Sequence, residues 1–192
     1  RQQQGRVIDW NHDVYSPPHL GRARAAERTS GLLAAWHLAD PLSRPPLAAG
    51  MWNNSGAHRN ADPLYQFERK RVVKHVQLNP ALRVSAFRGL GAFMNVFAIE
   101  SFIDELAHAA EVDPVEFRLR HLEDRRAVAV VEAAASFSNW GGTLEPGKGR
   151  GFAFARYKNS AAYCAASVLL RVDETTGEIR LEHAFLTADA GQ

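Results

Sequence analysis

A cramped glycine turn feeding straight into a long amphipathic helix constrains this chain more than any other feature. The turn is Phe87-Arg88-Gly89-Leu90-Gly91, and the apolar periodicity behind it predicts a helix from about Met94 to Glu111. Two glycines within three residues let backbone N–H groups come close to a bound group. The first turn of a helix also offers free N–H donors and a partial positive charge, which suit an anionic or oxo-bearing ligand. Spacing alone favours a turn that only caps structure.

On the predicted helix, Val96, Phe97, Ile103, Leu106, Ala107 and Ala110 form an apolar stripe, with Glu100, Asp104, Glu105 and His108 largely opposite. Glu100 and Asp104 are one turn apart and share a face. They read as a solvated or ion-paired surface rather than a catalytic pair. Asp113-Pro114-Val115-Glu116 then places an aspartate at the N-cap, a proline at the first helical position and a glutamate at the third. That signature predicts a second helix running through Phe117 and Leu119 to Leu122, and loss of the Asp113 cap is expected to cost about 1 kcal/mol. A third helix, Arg125 to Phe137, follows Asp124, with Val128, Val131 and Ala135 on one face.

The flanks are strand-like. Gly5 to Tyr15 alternates well enough for an opening strand, ended by Pro17-Pro18. Between Ser16 and Asn60 the chain is rich in Pro, Gly, Asn and Ser and is expected to order poorly away from a larger parent. Within it lie an alanine-rich excursion at Arg22 to Arg28, a short helical or extended piece at Leu32 to Leu38, and the proline-rich stretch Pro41 to Pro46. Val72 to Leu78 predicts a strand with Val72, Val76 and Leu78 on one face, entered by the basic run Arg69, Lys70 and Arg71. Beyond the loop marked by Gly141-Gly142 and Pro146-Gly147, strands are predicted at Gly151 to Tyr157, Ala162 to Asp173 and Glu178 to Ala188. Asp173 to Gly177 is the hairpin turn between the last two. The fold class is therefore α+β, a helical segment followed by an antiparallel β-rich segment, with the division expected near residues 140 and 141.

Composition removes several classes of function. A 46% hydrophobic and 23% charged share is that of a globular chain, not a disordered tail. The net charge is only +2, from 23 basic against 21 acidic residues, so no large field for nucleic acid exists. The single cysteine, Cys164, rules out an internal disulfide framework or an iron–sulfur cluster held by this chain alone, and reads as a small buried residue. The eight histidines fall in no zinc spacing, so no protein-ligated metal is expected. No apolar run is long enough to span a bilayer, and nothing in the residues indicates a compartment.

Several motifs in one order carry a resemblance. They are NADPLY at Asn60 to Tyr65, AFRGLG at Ala86 to Gly91, AIESFIDELA at Ala98 to Ala107, DPVEFRLRHL at Asp113 to Leu122, GRGFAFARYKNSAAYCA at Gly149 to Ala165 and the closing TADAGQ at Thr187 to Gln192. In this order they resemble the large, molybdopterin-binding subunit of the xanthine oxidase and aldehyde oxidase family, of the isoquinoline 1-oxidoreductase or nicotinate dehydrogenase beta-subunit type. The chain opens on Arg1 without a signal peptide and stops straight after a strand-like run. It therefore reads as an internal piece, with 1–140 part of one molybdopterin-binding domain and 141–192 the start of a second, β-rich one.

The resemblance implies a molybdenum–molybdopterin cofactor, in its cytosine dinucleotide form, and oxidative hydroxylation of an N-heteroaromatic compound or an aldehyde. It implies that Arg88, Gly89 and Gly91 contact the cofactor while Phe87 and Leu90 flank the substrate pocket, although leucine at 90 departs from the aromatic of purine-oxidising relatives. For Phe87 the plain alternative is a core aromatic, and for Arg88 a salt bridge to a carboxylate such as Glu100. Implied partners are an iron–sulfur subunit, a cytochrome and the remainder of the large subunit. The glutamate base of the family lies beyond this chain, so no turnover by the chain alone is expected. The rival from another class is an autonomous interaction module with a closed core. A domain for another phosphate-bearing cofactor has no supporting motif.

Overall fold

The computed structural model describes residues 2–3, 5–19, 33–42, 56–82 and 84–191. The Arg22 to Arg28 excursion and most of the Pro41 to Pro46 stretch lie outside them. The elements run β1 (Gln2–Gln3), β2 (Arg6–Val7), β3 (Trp10–Ser16), β4 (Lys70–Val76), α1 (Ala92–Ala109), α2 (Pro114–Leu119), α3 (Arg125–Phe137), β5 (Lys148–Arg156), β6 (Tyr163–Val172) and β7 (Ile179–Asp189). Three helices followed by an antiparallel sheet in the order β5-β6-β7 make this the α+β arrangement read from the sequence.

The opening strand is split. β2 pairs antiparallel with β1, whereas β3 pairs in parallel with β4, Trp10 opposite Lys70 and Ser16 opposite Val76. Leu78 lies past the end of β4 and is exposed, so it shares no strand face with Val72 and Val76. Lys70 and Arg71 sit inside β4, where they pair with Asp62 and Asp13, and Arg69 pairs with Glu68. A 3-10 turn occupies Leu33–His37.

The predicted Asp113 cap forms, and Asp124 caps α3. The Asp113 carboxylate accepts from the N–H groups of Val115 and Glu116 at 2.9 and 3.0 Å, and its other oxygen accepts from the Trp140 indole at 2.8 Å. Asp124 accepts from Arg126 and Ala127 in the same way. α2 stops at Leu119, short of the predicted Leu122. α3 turns Ala127, Val130, Val131 and Ala134 fully inward, leaving Val128 and Ala135 at the margin.

One apolar core joins all three helices to the inner face of the sheet. Ile99, Ile103 and Ala107 of α1, Val115 and Phe117 of α2, and Val130 and Val131 of α3 meet Phe152, Phe154, Tyr163 and Ala165. The Thr187 hydroxyl donates to the Val130 carbonyl at 2.8 Å, and Phe137 meets Phe185 edge-on at 5.4 Å, which fastens α3 to β7. The apolar stripe of α1 differs from the predicted one. Phe97 is 67% exposed, and Glu100, expected on the solvent side, is only 5% exposed. The reason is a buried partner from α2, Arg118, which draws the carboxylate inward.

Candidate functional site

At the turn, Gly89 has φ +80° and Leu90 φ +55°, two left-handed residues in succession. Only glycine adopts that region without cost, which accounts for Gly89. The Leu90 N–H donates to the Phe87 carbonyl at 2.8 Å, and the Ala92 N–H to the Gly89 carbonyl at 3.2 Å. Gly91 has ordinary helical torsions, so its lack of a side chain serves another purpose. A Cβ there would stand 2.0 Å from the Ala57 carbonyl oxygen. The Gly91 N–H donates to the Gly56 carbonyl at 3.0 Å, and the buried Asn95 amide donates to the Ala57 and Arg59 carbonyls, each at 2.9 Å. Gly91 thus admits the backbone of residues 56–60 beneath the start of α1. A side chain at 91 would meet the Ala57 backbone.

Among the described residues, no backbone carbonyl or side chain accepts from the N–H groups of Arg88, Gly89, Phe93 or Met94. The Arg88 side chain is exposed and pairs with no described carboxylate; Glu100, its expected alternative partner, belongs to Arg118. Phe87 is 64% exposed and meets Phe93 edge-on at 5.8 Å, so it is not a core aromatic. Leu90 is half-buried. The turn therefore gathers open backbone donors, an exposed guanidinium and exposed aromatic surface.

Behind it lies a buried ionic cluster that the periodicity missed. Arg118 is fully buried: Nε donates to Glu100 Oε2 at 2.9 Å, Nη1 to Asp104 Oδ1 at 2.7 Å and the Pro114 carbonyl at 3.0 Å, and Nη2 to the Glu100 and Phe152 carbonyls at 3.2 and 2.9 Å. Glu100 also accepts from the Tyr65 hydroxyl at 2.9 Å and the Phe154 N–H at 2.8 Å. Burial pushes the Glu100 carboxyl upward, against the pull of Arg118 and these donors. Burial and the neighbouring carboxylate raise the Tyr65 phenol well above its ordinary value. The cluster ties α1 to α2, β5 and the NADPLY segment. A charged residue on the Ile99 and Ile103 stripe, and an arginine three residues after Val115, were the signals in the sequence.

The NADPLY segment also locks to the far strand. Asn60, with φ +60°, donates from its amide to the Arg156 carbonyl at 2.8 Å and to Asn159 Oδ1 at 3.0 Å, and accepts from the Lys158 N–H at 2.9 Å. Two of the motifs that carried the resemblance are thus one interlocked structure.

The sequence pattern of the molybdopterin cofactor-binding domain matches residues 42–122. Over this segment the chain is similar to the molybdopterin cofactor-binding domain family. A nicotinate dehydrogenase subunit of Pseudomonas putida is 41% identical over 148 residues, covering 69% of this chain and 12% of that protein. The beta subunit of isoquinoline 1-oxidoreductase from Brevundimonas diminuta is 31% identical over 112 residues, 56% of this chain and 14% of that protein. The chain thus spans roughly an eighth of the length of these relatives. A solved aldehyde oxidoreductase from Desulfovibrio gigas superposes with a TM-score of 0.40 and 19% identity over 65% of this chain and 16% of that one, too loosely to argue from.

The segment matched by that pattern contains both the 87–91 turn and the Glu100–Arg118 pair. Among the described residues, no group of three or more His, Cys, Asp or Glu is placed to hold a metal ion. The open N–H groups and the Arg88 guanidinium suit a group that brings its own metal ligands and presents oxygen or phosphate. No described helix is long and apolar enough to cross a membrane.

Proposed function

We propose that this chain is part of the large subunit of a molybdenum hydroxylase that oxidises an N-heteroaromatic compound or an aldehyde. The carrying observation is the 41% identity to the Pseudomonas nicotinate dehydrogenase subunit across a stretch that includes the turn with its open backbone donors. The two relatives named for nicotinate and isoquinoline favour the N-heteroaromatic substrate. When bound, the molybdenum cofactor, in its cytosine dinucleotide form, supplies the two-electron oxidation with oxygen taken from water. The chain's own part is positioning. The N–H groups of Arg88 and Gly89 hold an oxygen of the cofactor, and Gly91 lets the turn sit tightly on residues 56–60. Phe87 and Leu90 form an apolar wall that orients a planar substrate and excludes water. Glu100 and Arg118 keep α1 in place behind the turn.

In the same reading, 1–140 and 141–192 contribute to two successive molybdopterin-binding regions. The electrons leave through an iron–sulfur subunit and a cytochrome, and this chain alone has no turnover. The name of the Pseudomonas relative, a subunit, supports the multi-subunit assembly. Exposed Phe87, Phe93, Met94 and Phe97 weigh against a self-contained interaction module, which would close its apolar surface.

The test is molybdenum by mass spectrometry and pterin by fluorescence in the intact large subunit and in its Arg88→Ala and Gly89→Val variants. Both are expected in the parent, with Gly89→Val reducing cofactor content at least as strongly as Arg88→Ala. An intact protein holding neither molybdenum nor pterin would end this reading.

A further inference from the structure

The sheet β5-β6-β7 has two faces of different chemistry. Phe152, Phe154, Tyr163 and Ala165 point into the helical core. On the other face, register pairs Ala155 with Cys164, Ala153 with Ala166, and Ala166 with Leu186. Every residue that this register puts on the outer face, at alternate positions of 149–155 and 164–170 and their partners in 181–188, is Gly, Ala, Cys, Val or Leu. An antiparallel sheet with one wet face alternates apolar with polar side chains. This one carries no polar side chain on its outer face. The face continues into an open, mostly apolar groove of about 250 Å³, where Val96 and Phe97 of α1 stand beside Ala153, Ala166 and Val168, with Ser101 and the Arg118-paired Asp104 at its α1 side.

Resting on the functional reading above, we propose that this face and groove are an internal interface of the longer large subunit. The occupant is an uncharged layer of the same polypeptide, whose bulky aliphatic or aromatic side chains fill the space left by the Gly and Ala rows. Two observations select it. Three strands about 4.8 Å apart and about seven residues long expose roughly 340 Å², so two copies face to face would bury roughly 700 Å², below the ~1,200 Å² of a stable interface. The chain spans only 12% of the length of the Pseudomonas nicotinate dehydrogenase subunit, so relatives carry ample polypeptide to form such a layer.

Cys164 lies on this face, half-buried, and reports its cover directly. Maleimide labelling, read by peptide mass spectrometry on residues 159–171, is run on this chain and on the intact large subunit. The expected result is ready labelling in the chain and at least tenfold slower labelling in the intact protein. Ala166 is half-buried on the open face, and Ala166→Glu is expected to leave this chain with a cooperative melting transition followed by circular dichroism. The same change should abolish soluble accumulation of the intact protein. Equal labelling in both proteins would overturn the proposal. A concentration-dependent dimer of this chain that Ala166→Glu dissolves would overturn it in favour of a second copy. Molybdenum and pterin are measured on the same preparation. Protection of Cys164 without either would retire the functional reading and leave the interface standing.

Discussion

Replacing Arg118 by methionine tests whether the buried cluster holds the helices together. Methionine keeps most of the apolar stem and removes all five guanidinium hydrogen bonds. Glu100 is then left 5% exposed with only the Tyr65 hydroxyl and the Phe154 N–H as donors. Breaking one partner out of a buried ion pair costs about 3–5 kcal/mol, because the surviving charge stays desolvated. Asp104, whose side chain is partly exposed, returns to water at little cost. The expected loss for Arg118→Met is therefore about 3–5 kcal/mol, measured by urea unfolding at pH 7 followed by circular dichroism, with the denaturant slope unchanged. Adding Glu100→Gln removes the stranded charge. The double variant should consequently be more stable than the sum of the two single losses predicts, by at least about 1.5 kcal/mol. A single-variant loss below about 1 kcal/mol, or strict additivity, would refute the view that this pair is a desolvated, mutually dependent unit.

Three further outcomes follow from the geometry. Gly91→Ala forces its Cβ against the Ala57 carbonyl and should cost about 1–3 kcal/mol in the same unfolding assay; a neutral result would mean residues 56–60 move away freely. Asp113→Ala loses two N-cap bonds and the Trp140 contact, for about 1–2 kcal/mol, without altering the cofactor content of the intact large subunit. At His121, Nε2 accepts from the Val7 N–H at 2.9 Å, so Nδ1 carries the proton that is donated to the Phe117 carbonyl at 2.7 Å. Burial depresses this histidine from 6.5, so its contribution is complete above that value and is lost as pH falls toward the lower folded value. Unfolding free energy should then decline between pH 7 and pH 5 in the parent and less steeply in His121→Gln; parallel profiles would reject this assignment.

Much of the local structure is legible in the residues themselves. Asp113, Pro114 and Glu116 opened α2 as expected, Asp124 opened α3, and Asp173 to Gly177 closed the last hairpin with glycine at φ +73°. The helical face of α1 was read less well. Phe97 looked like core and Glu100 like surface, because periodicity weighs each residue by its own hydrophobicity and is blind to a partner eighteen residues away. The turn at 87–91 was legible as a turn, but the reason for Gly91 was not, since the carbonyl it admits belongs to Ala57.

Caps, turns and strand alternation depend on groups two to four residues apart, so their chemistry is written in consecutive letters, and these the chain determined by itself. The Glu100–Arg118 pair, the seat of Gly91 on residues 56–60 and the Asn60 lock onto Lys158 and Asn159 join segments up to 99 residues apart. Only folding brings those groups within hydrogen-bonding distance. Tertiary packing therefore decided which charge is buried and which apolar face is left open.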